Sequence, residues 1–180
     1  DELTVVAATQ LREREPEFWH LLVEVTQGDK AIVYQVPVSL RDRAGDRLEH
    51  VLLGEVDGRF VYDALHDKEA TAELLRRFEA QDHVEELTFH TEPDALLPLG
   101  EQSLVLTAEQ SNTSLAYGDA ALLKVFRRLV PGVNPDVEIH DALRRAENPH
   151  IAPLLGHIEI DDPDPSNEPA TVAMLQTFVP

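Results

Sequence analysis

The sequence contains no cysteine, one methionine, one tryptophan and only eight glycines among its 180 residues. The lack of cysteine excludes disulfides, thiol catalysis and thiolate metal sites. Basic side chains are also scarce, since 15 lysines and arginines face 34 aspartates and glutamates, which gives a net charge of −19 at pH 7. A surface this acidic repels nucleic acid and anionic membranes, so we expect neither as a partner.

Long apolar runs are missing as well. No run approaches the roughly 20 residues that cross a bilayer, and the first residues lack the basic and apolar stretches of a signal peptide. We therefore expect a cytoplasmic protein. Because the sequence lacks an initiator Met and stops abruptly at Pro180, we also expect it to be a piece of a longer chain.

Hydrophobic residues make up 43 % of the sequence, which is enough for at least one core. The first half predicts a small antiparallel sheet that curls around one helix. Residues 17–26 and 31–38 alternate as the two strands of a hairpin, and two shorter strands flank the turn at Asp57 and Gly58. In the first of these strands Trp19 lies on a wholly apolar face with three other side chains, so we expect Trp19 in the core.

A helix is predicted over residues 67–80, where Asp67 can cap the first turn. Its apolar stripe consists of Ala70, Leu74, Leu75 and Phe78. The segment Pro93–Gly100 then carries two prolines and a glycine, and we expect a domain boundary there. The second half predicts five strands, with a helix over residues 135–146 between the third and the fourth.

Lys124 and Glu138 are the charged residues of this second half that raise a functional question. Alternation puts Lys124 on one strand face with Leu122 and Phe126, and a lysine among apolar side chains needs a partner. The helix that follows begins after a capping Asn134, and Glu138 lies at the edge of its stripe, which comprises Ile139, Ala142, Leu143 and Ala146. The pattern predicts that Lys124 and Glu138 meet, either as a structural ion pair or as a pair that readies the lysine for nucleotide phosphates.

A polar hairpin loop, 109–113, lies between the first two of these strands and offers hydroxyl, amide and backbone donors that a phosphate prefers. The order of polar hairpin, strand lysine, capped helix with an acid, and two further strands is that of a kinase amino-terminal lobe. Together the segments EQSNTS, LLKVFRRL, PGVNPDVEIHDAL and PHIAPLLG resemble the actinobacterial maltokinases, which belong to the aminoglycoside-phosphotransferase-like kinases. The resemblance is strong over residues 99–180 and looser over residues 1–98.

This resemblance implies an α+β fold in two units. Residues 1–98 would form a cap domain, a curled antiparallel sheet with one helix. Residues 99–180 would form a kinase-like amino-terminal lobe, a five-stranded antiparallel sheet with one helix, that ends at the hinge and lacks the carboxy-terminal lobe. The implied activity is ATP-dependent phosphorylation of maltose to maltose 1-phosphate for α-glucan (glycogen) synthesis.

The resemblance also assigns cofactor-binding residues. Lys124 would contact the ATP phosphates, Glu138 would fix the lysine, and the end of the last strand would lead into the hinge that reads the adenine. The residues of the phosphate-covering hairpin would be Gln110, Ser111, Asn112, Thr113 and Ser114, and those around the adenine would be Met174, Gln176 and Phe178.

No catalytic residue is predicted in this sequence, because it has no H-x-D with a following Asn and no D-F-G-like triplet. Those residues, the Mg²⁺ ligands and most of the sugar site would lie in the missing lobe, so we expect the chain alone to be inactive. The acceptor stays open between maltose, glucosamine and aminoglycosides. A different hypothesis is a non-catalytic acidic module that docks trehalose synthase.

Other chemistry finds little support in the sequence. None of the eight histidines makes an H-x-x-x-H or H-E-x-x-H spacing, so no metal site is predicted. The sequence also lacks the G-x-S-x-G turn of α/β-hydrolases.

Overall fold

The computed structural model describes residues 2–108, 111–145, 151–161 and 168–179. Within these ranges it forms twelve strands and two α-helices, and no helix has the length and apolar character that a bilayer span needs. The strands are β1 (Glu2–Arg12), β2 (Glu17–Gln27), β3 (Lys30–Arg41), β4 (Leu52–Val56), β5 (Arg59–Asp63), β6 (His83–Val84), β7 (Leu87–Thr91), β8 (Ser103–Ala108), β9 (Asn112–Tyr117), β10 (Ala121–Phe126), β11 (Leu154–Ile160) and β12 (Ala170–Thr177). The helices are α1 (Lys68–Ala80) and α2 (Pro135–Arg145).

The first sheet contains five antiparallel strands in the order β1-β2-β3-β5-β4. The predicted hairpin is confirmed, with Trp19 of β2 opposite Val38 of β3. The strand β1 was not predicted from the sequence, yet it pairs with β2 along nearly its whole length. Only Thr9 and Leu11 of β1 are buried, so its sequence carries little of the alternation that marks a half-buried strand.

The buried face of β2 is the opposite of the one that its apolar pattern predicts. Phe18, His20 and Leu22 are buried, whereas Trp19 is half-buried and donates its indole N–H to Glu17. The prediction that Trp19 belongs to the core is therefore wrong. The polar His20 can be buried because its Nε2 lies 2.9 Å from the side-chain oxygen of Gln35.

Helix α1 agrees with the prediction. The carboxylate of Asp67 accepts a hydrogen bond from the N–H of Glu69, as a helix cap does, and also accepts from Ser39 and Arg41 of β3. The predicted apolar stripe of α1 is buried in full. The start of the helix is thus fixed to the first sheet, and its stripe faces the core.

The second sheet has the order β6-β7-β11-β12-β10-β9-β8, again with antiparallel neighbours. The five strands predicted for the second half are β8–β12. They are joined by β6 and β7, which precede the predicted boundary at Pro93–Gly100, because β7 pairs with β11. The division into two folding units at residue 98 stays a prediction. Both predicted units contribute strands to the second sheet.

The main core also joins the two halves of the chain. Its buried side chains come from the first sheet, from α1 and from the second sheet, and include Phe18, Leu22, Leu75, Phe78, Phe89, Leu115, Leu123 and Leu175. One face of β10 therefore rests on this core, and its other face is left for α2 and the site described next.

Candidate functional site

Strand β10 presents Lys124 on the face opposite the main core. Ala121, Leu123 and Val125 are buried in that core, so Leu122, Lys124 and Phe126 point to the other side, as the alternation predicts. The Lys124 side chain is 32 % exposed. Its ammonium lies 5.6 Å from the centre of the Phe126 ring, which adds a cation–π contact at the strand end.

Helix α2 begins where the sequence predicts. The side-chain oxygen of Asn134 accepts a hydrogen bond from the N–H of Asp136 at 2.9 Å, and Pro135 occupies the first helical position. The N–H of Asn134 itself donates to Thr171 Oγ1 of β12 at 3.0 Å. The cap is therefore attached to the second sheet, and it brings the first helical turn over β10.

The carboxylate that contacts Lys124 belongs to Asp136. Lys124 Nζ forms a hydrogen-bonded ion pair with Asp136 Oδ2, and the Asp136 side chain is 43 % exposed. The predicted partner Glu138 lies two residues further along and is exposed. The structure thus corrects the predicted pairing, whereas the role of either carboxylate toward a nucleotide stays a prediction.

The rotation of α2 explains this correction. Val137 is the residue of α2 that is buried against Phe126, Leu154 and Met174, whereas Ile139 of the predicted stripe is 53 % exposed. Successive residues of a helix are about 100° apart, so a helix that buries Val137 turns Ile139 away from the sheet. Asp136 and Glu138 lie about 100° to either side of Val137, and the ion pair shows that Asp136 is on the side that faces Lys124.

The predicted phosphate-covering hairpin is only partly a loop. Gln110 lies outside the described residues, Ser111 is exposed, and Asn112–Ser114 already belong to β9. Ser114 lies directly opposite Lys124 in the β9–β10 pairing and so shares its face. Thr113 is 1 % exposed, so its hydroxyl faces the interior, and its contact with a phosphate stays a prediction. Among the described residues of the hairpin, Ser114 is therefore the one that pairs directly with the lysine.

Arg127 connects this hairpin to the first sheet, a link that sequence reasoning missed. Its Nε donates to Thr113 Oγ1 at 2.9 Å, and its Nη2 donates to Asp63 of β5 at 2.7 Å. The backbone N–H of Arg127 also donates to the carbonyl of Ser111 at 2.7 Å. Because Arg127 follows β10 directly, these bonds set the base of the hairpin relative to Lys124.

Gln35 makes a second, buried connection between the sheets. Its side-chain amide donates to the carbonyls of Phe126 and Val172 at 2.5 and 2.6 Å, and its backbone N–H donates to the carbonyl of Arg127. These acceptors lie on β10, β12 and the residue after β10. The end of β10 at Phe126 is thus hydrogen-bonded to the first sheet.

The strand β12 carries the residues predicted for the adenine. Met174 lies opposite Lys124 but is 1 % exposed, because α2 covers it. The backbone of Gln176 pairs with Leu122 and Leu154, and the N–H of Phe178 donates to the carbonyl of Ala120 at 3.1 Å. This N–H is already used within the chain, and the adenine contacts of all three residues stay predictions.

The first sheet, β1–β5, and the cap of α1 all fall within residues 1–67. Residues 1–67 match the family model of the maltokinase N-terminal cap domain. The resemblance to maltokinases is therefore confirmed over residues 1–67. These residues belong to the part of the chain, residues 1–98, where the sequence resemblance is looser.

Solved structures extend the likeness of fold beyond the maltokinase cap region. A glucosamine kinase in complex with glucosamine, ADP and inorganic phosphate matches with a TM-score of 0.60 and 18 % identity, over 100 % of this chain and 36 % of that one. Crystal form A of glucosamine kinase matches with a TM-score of 0.62 and 17 % identity, over 100 % of this chain and 35 % of that one. The chain thus shares its fold with part of these kinases and spans about a third of their length.

Proposed function

We propose that this chain is the amino-terminal part of an ATP-dependent sugar kinase, and that Lys124 binds the nucleotide phosphates. The observation that carries the proposal is the ion pair of the half-exposed Lys124 with Asp136, on a sheet whose fold is that of glucosamine kinases. An ammonium held in place by a carboxylate is positioned to meet the oxygens of a triphosphate. Ser114, opposite Lys124, supplies a hydroxyl donor on the same face.

Maltose is the acceptor that we propose, with maltose 1-phosphate as the product for α-glucan synthesis. The match of residues 1–67 to a maltokinase cap domain supports maltose, and the likeness to glucosamine kinases supports glucosamine as the alternative. A panel of maltose, glucosamine and an aminoglycoside, tested on the full-length protein with ATP and Mg²⁺, separates these acceptors. Preference for glucosamine over maltose would contradict the maltose proposal and leave the kinase proposal intact.

We further propose that residues 1–180 alone do not transfer a phosphoryl group, because the sequence lacks a catalytic Asp-and-Asn loop and a metal-binding D-F-G-like triplet. In this proposal the Mg²⁺ ligands and the catalytic base belong to the carboxy-terminal lobe. Turnover of ATP with maltose by residues 1–180, above that of a Lys124→Ala control, would contradict it.

Titration with ATP tests the nucleotide site directly. In the full-length protein, Lys124→Ala should weaken ATP binding by about tenfold or more, the equivalent of one charge-assisted hydrogen bond. Lys30→Ala, at the exposed start of β3, is the matched control and should bind like the wild type. Equal affinity of the two variants would favour the acidic module that docks trehalose synthase.

A further inference from the structure

Two imidazoles and one carboxylate converge on the second sheet, outside the site described above. His90 of β7 and His157 of β11 are direct partners in the strand pairing, and their rings stack with centroids 4.6 Å apart. Glu159 lies two residues after His157 and therefore on the same face. Its two carboxylate oxygens lie 3.0 Å from His90 Nε2 and 3.6 Å from His157 Nε2.

The spacing of these three groups suits a metal ion. One ligand atom from each of them lies within 4.8 Å of the others. Ligands around a tetrahedral Zn²⁺ at about 2.0–2.1 Å are roughly 3.3 Å apart, so rotamer adjustments of about 1 Å bring all three into coordination. Two His and one Glu form a donor set that transition metals accept, with the remaining position open to water.

The surroundings of the two imidazoles carry negative charge and include one buried ring nitrogen without a partner among the described residues. His157 Nδ1 is buried and has no hydrogen-bond partner among the described residues. The ring contacts the Glu159 carboxylate through its other nitrogen, Nε2. The carboxylates of Glu159 and Glu92 supply negative charge that a divalent cation would balance.

The position of the cluster connects it to the rest of the chain. Ser114, Lys124, Met174, His157 and His90 form one row across β9, β10, β12, β11 and β7. Neighbouring strands lie about 4.8 Å apart, so His157 lies about 10 Å from Lys124 along this row. An ion at the cluster would cross-link β7 to β11, the pairing that spans the predicted domain boundary.

We propose that His90, His157 and Glu159 form a binding site for a divalent transition-metal ion, with Zn²⁺ as the best fit. The site is independent of the proposed kinase activity, because none of its residues contacts Lys124 or Asp136 in the described structure. The spacing of histidines along the sequence could not reveal it, since the pairing of β7 with β11 brings together residues far apart in the chain.

Metal titration of residues 1–180 tests the proposal. Zn²⁺ competition against a chromophoric chelator, and the visible absorption of bound Co²⁺, should show one saturable site. His90→Ala and Glu159→Gln should each weaken binding by about tenfold or more. His83→Ala on β6 is the matched control, because it removes an exposed imidazole that contacts Thr88 and lies outside the cluster.

Other outcomes of the titration would overturn the site. Absence of saturable binding by the folded wild type would do so. Equal affinity of the wild type, His90→Ala and Glu159→Gln would also do so, since the ion would then bind elsewhere. Loss of binding in His66→Ala alone would assign the ion to the His50–His66 ring pair, whose centroids are 5.5 Å apart. Circular dichroism of each variant confirms that it is folded.

Discussion

Replacing Gln35 by leucine should destabilise the whole chain, because one buried amide joins the two sheets. Gln35 is 3 % exposed, and its side chain makes three hydrogen bonds, to the carbonyls of Phe126 and Val172 and to the ring of His20. Leucine has a similar size but can neither donate nor accept. The substitution therefore removes the bonds without leaving a large cavity.

The expected loss follows from the number of bonds. A buried hydrogen bond contributes about 1 kcal/mol net, and a buried group that loses its partner costs at least as much. Three such bonds give a loss of about 3 kcal/mol in the free energy of unfolding. For a chain of this size, that loss lowers Tm by about 6–12 °C.

Urea denaturation of residues 1–180, followed by circular dichroism, measures this loss. Gln27→Leu is the matched control, because Gln27 lies at the exposed end of β2 and should unfold like the wild type. A Gln35→Leu variant within about 0.5 kcal/mol of the wild type, the usual range for surface substitutions, would refute the assignment of Gln35 as a stabilising link between the sheets.

Three further predictions follow from the contacts of the described residues. Arg127→Met should raise the nucleotide Kd of the full-length protein by about tenfold through the lost bond to Thr113, and an unchanged Kd would contradict this link. Burial lowers the pKa of His20 below 6.5, so the unfolded chain takes up the proton first and the free energy of unfolding should fall as the pH drops below 6.5. His20→Gln should flatten this dependence in urea denaturation, and an unchanged slope would contradict it. Gly156→Ala should cost about 3 kcal/mol or more, because the added Cβ would overlap a backbone carbonyl of β7, whereas Gly100→Ala meets no atom within 4 Å and should unfold like the wild type.

Much of the fold could be predicted from local patterns. Helix α1 has both a cap and a continuous apolar stripe, and its bounds and buried face agree with the sequence. The strand β1 has no comparable pattern, because most of its side chains are exposed and its stability comes from pairing with β2. The strands β6 and β7 also depend on long-range pairing, because β7 enters the second sheet by pairing with β11.

The sequence predicts which face of β10 carries Lys124, but it does not predict which residue of α2 contacts the lysine. Alternation along β10 correctly assigned the face of Lys124, since one face of that strand is entirely apolar and buried. The sequence does not indicate this partner, because the predicted apolar stripe of α2 starts at Ile139, whereas Val137 packs on the sheet. The capping Asn134 was the available signal, since it fixes Asp136 in the first turn, next to the strand.

The proposed nucleotide site depends most directly on which carboxylate holds Lys124. The decisive measurement is the KM for ATP of the full-length protein with Asp136→Asn, compared with Glu138→Gln in the same assay. The ion pair in the structure predicts about a tenfold rise for Asp136→Asn and a value close to that of the wild type for Glu138→Gln. A rise for Glu138→Gln with no change for Asp136→Asn would contradict the assignment of Asp136 as the carboxylate that holds Lys124.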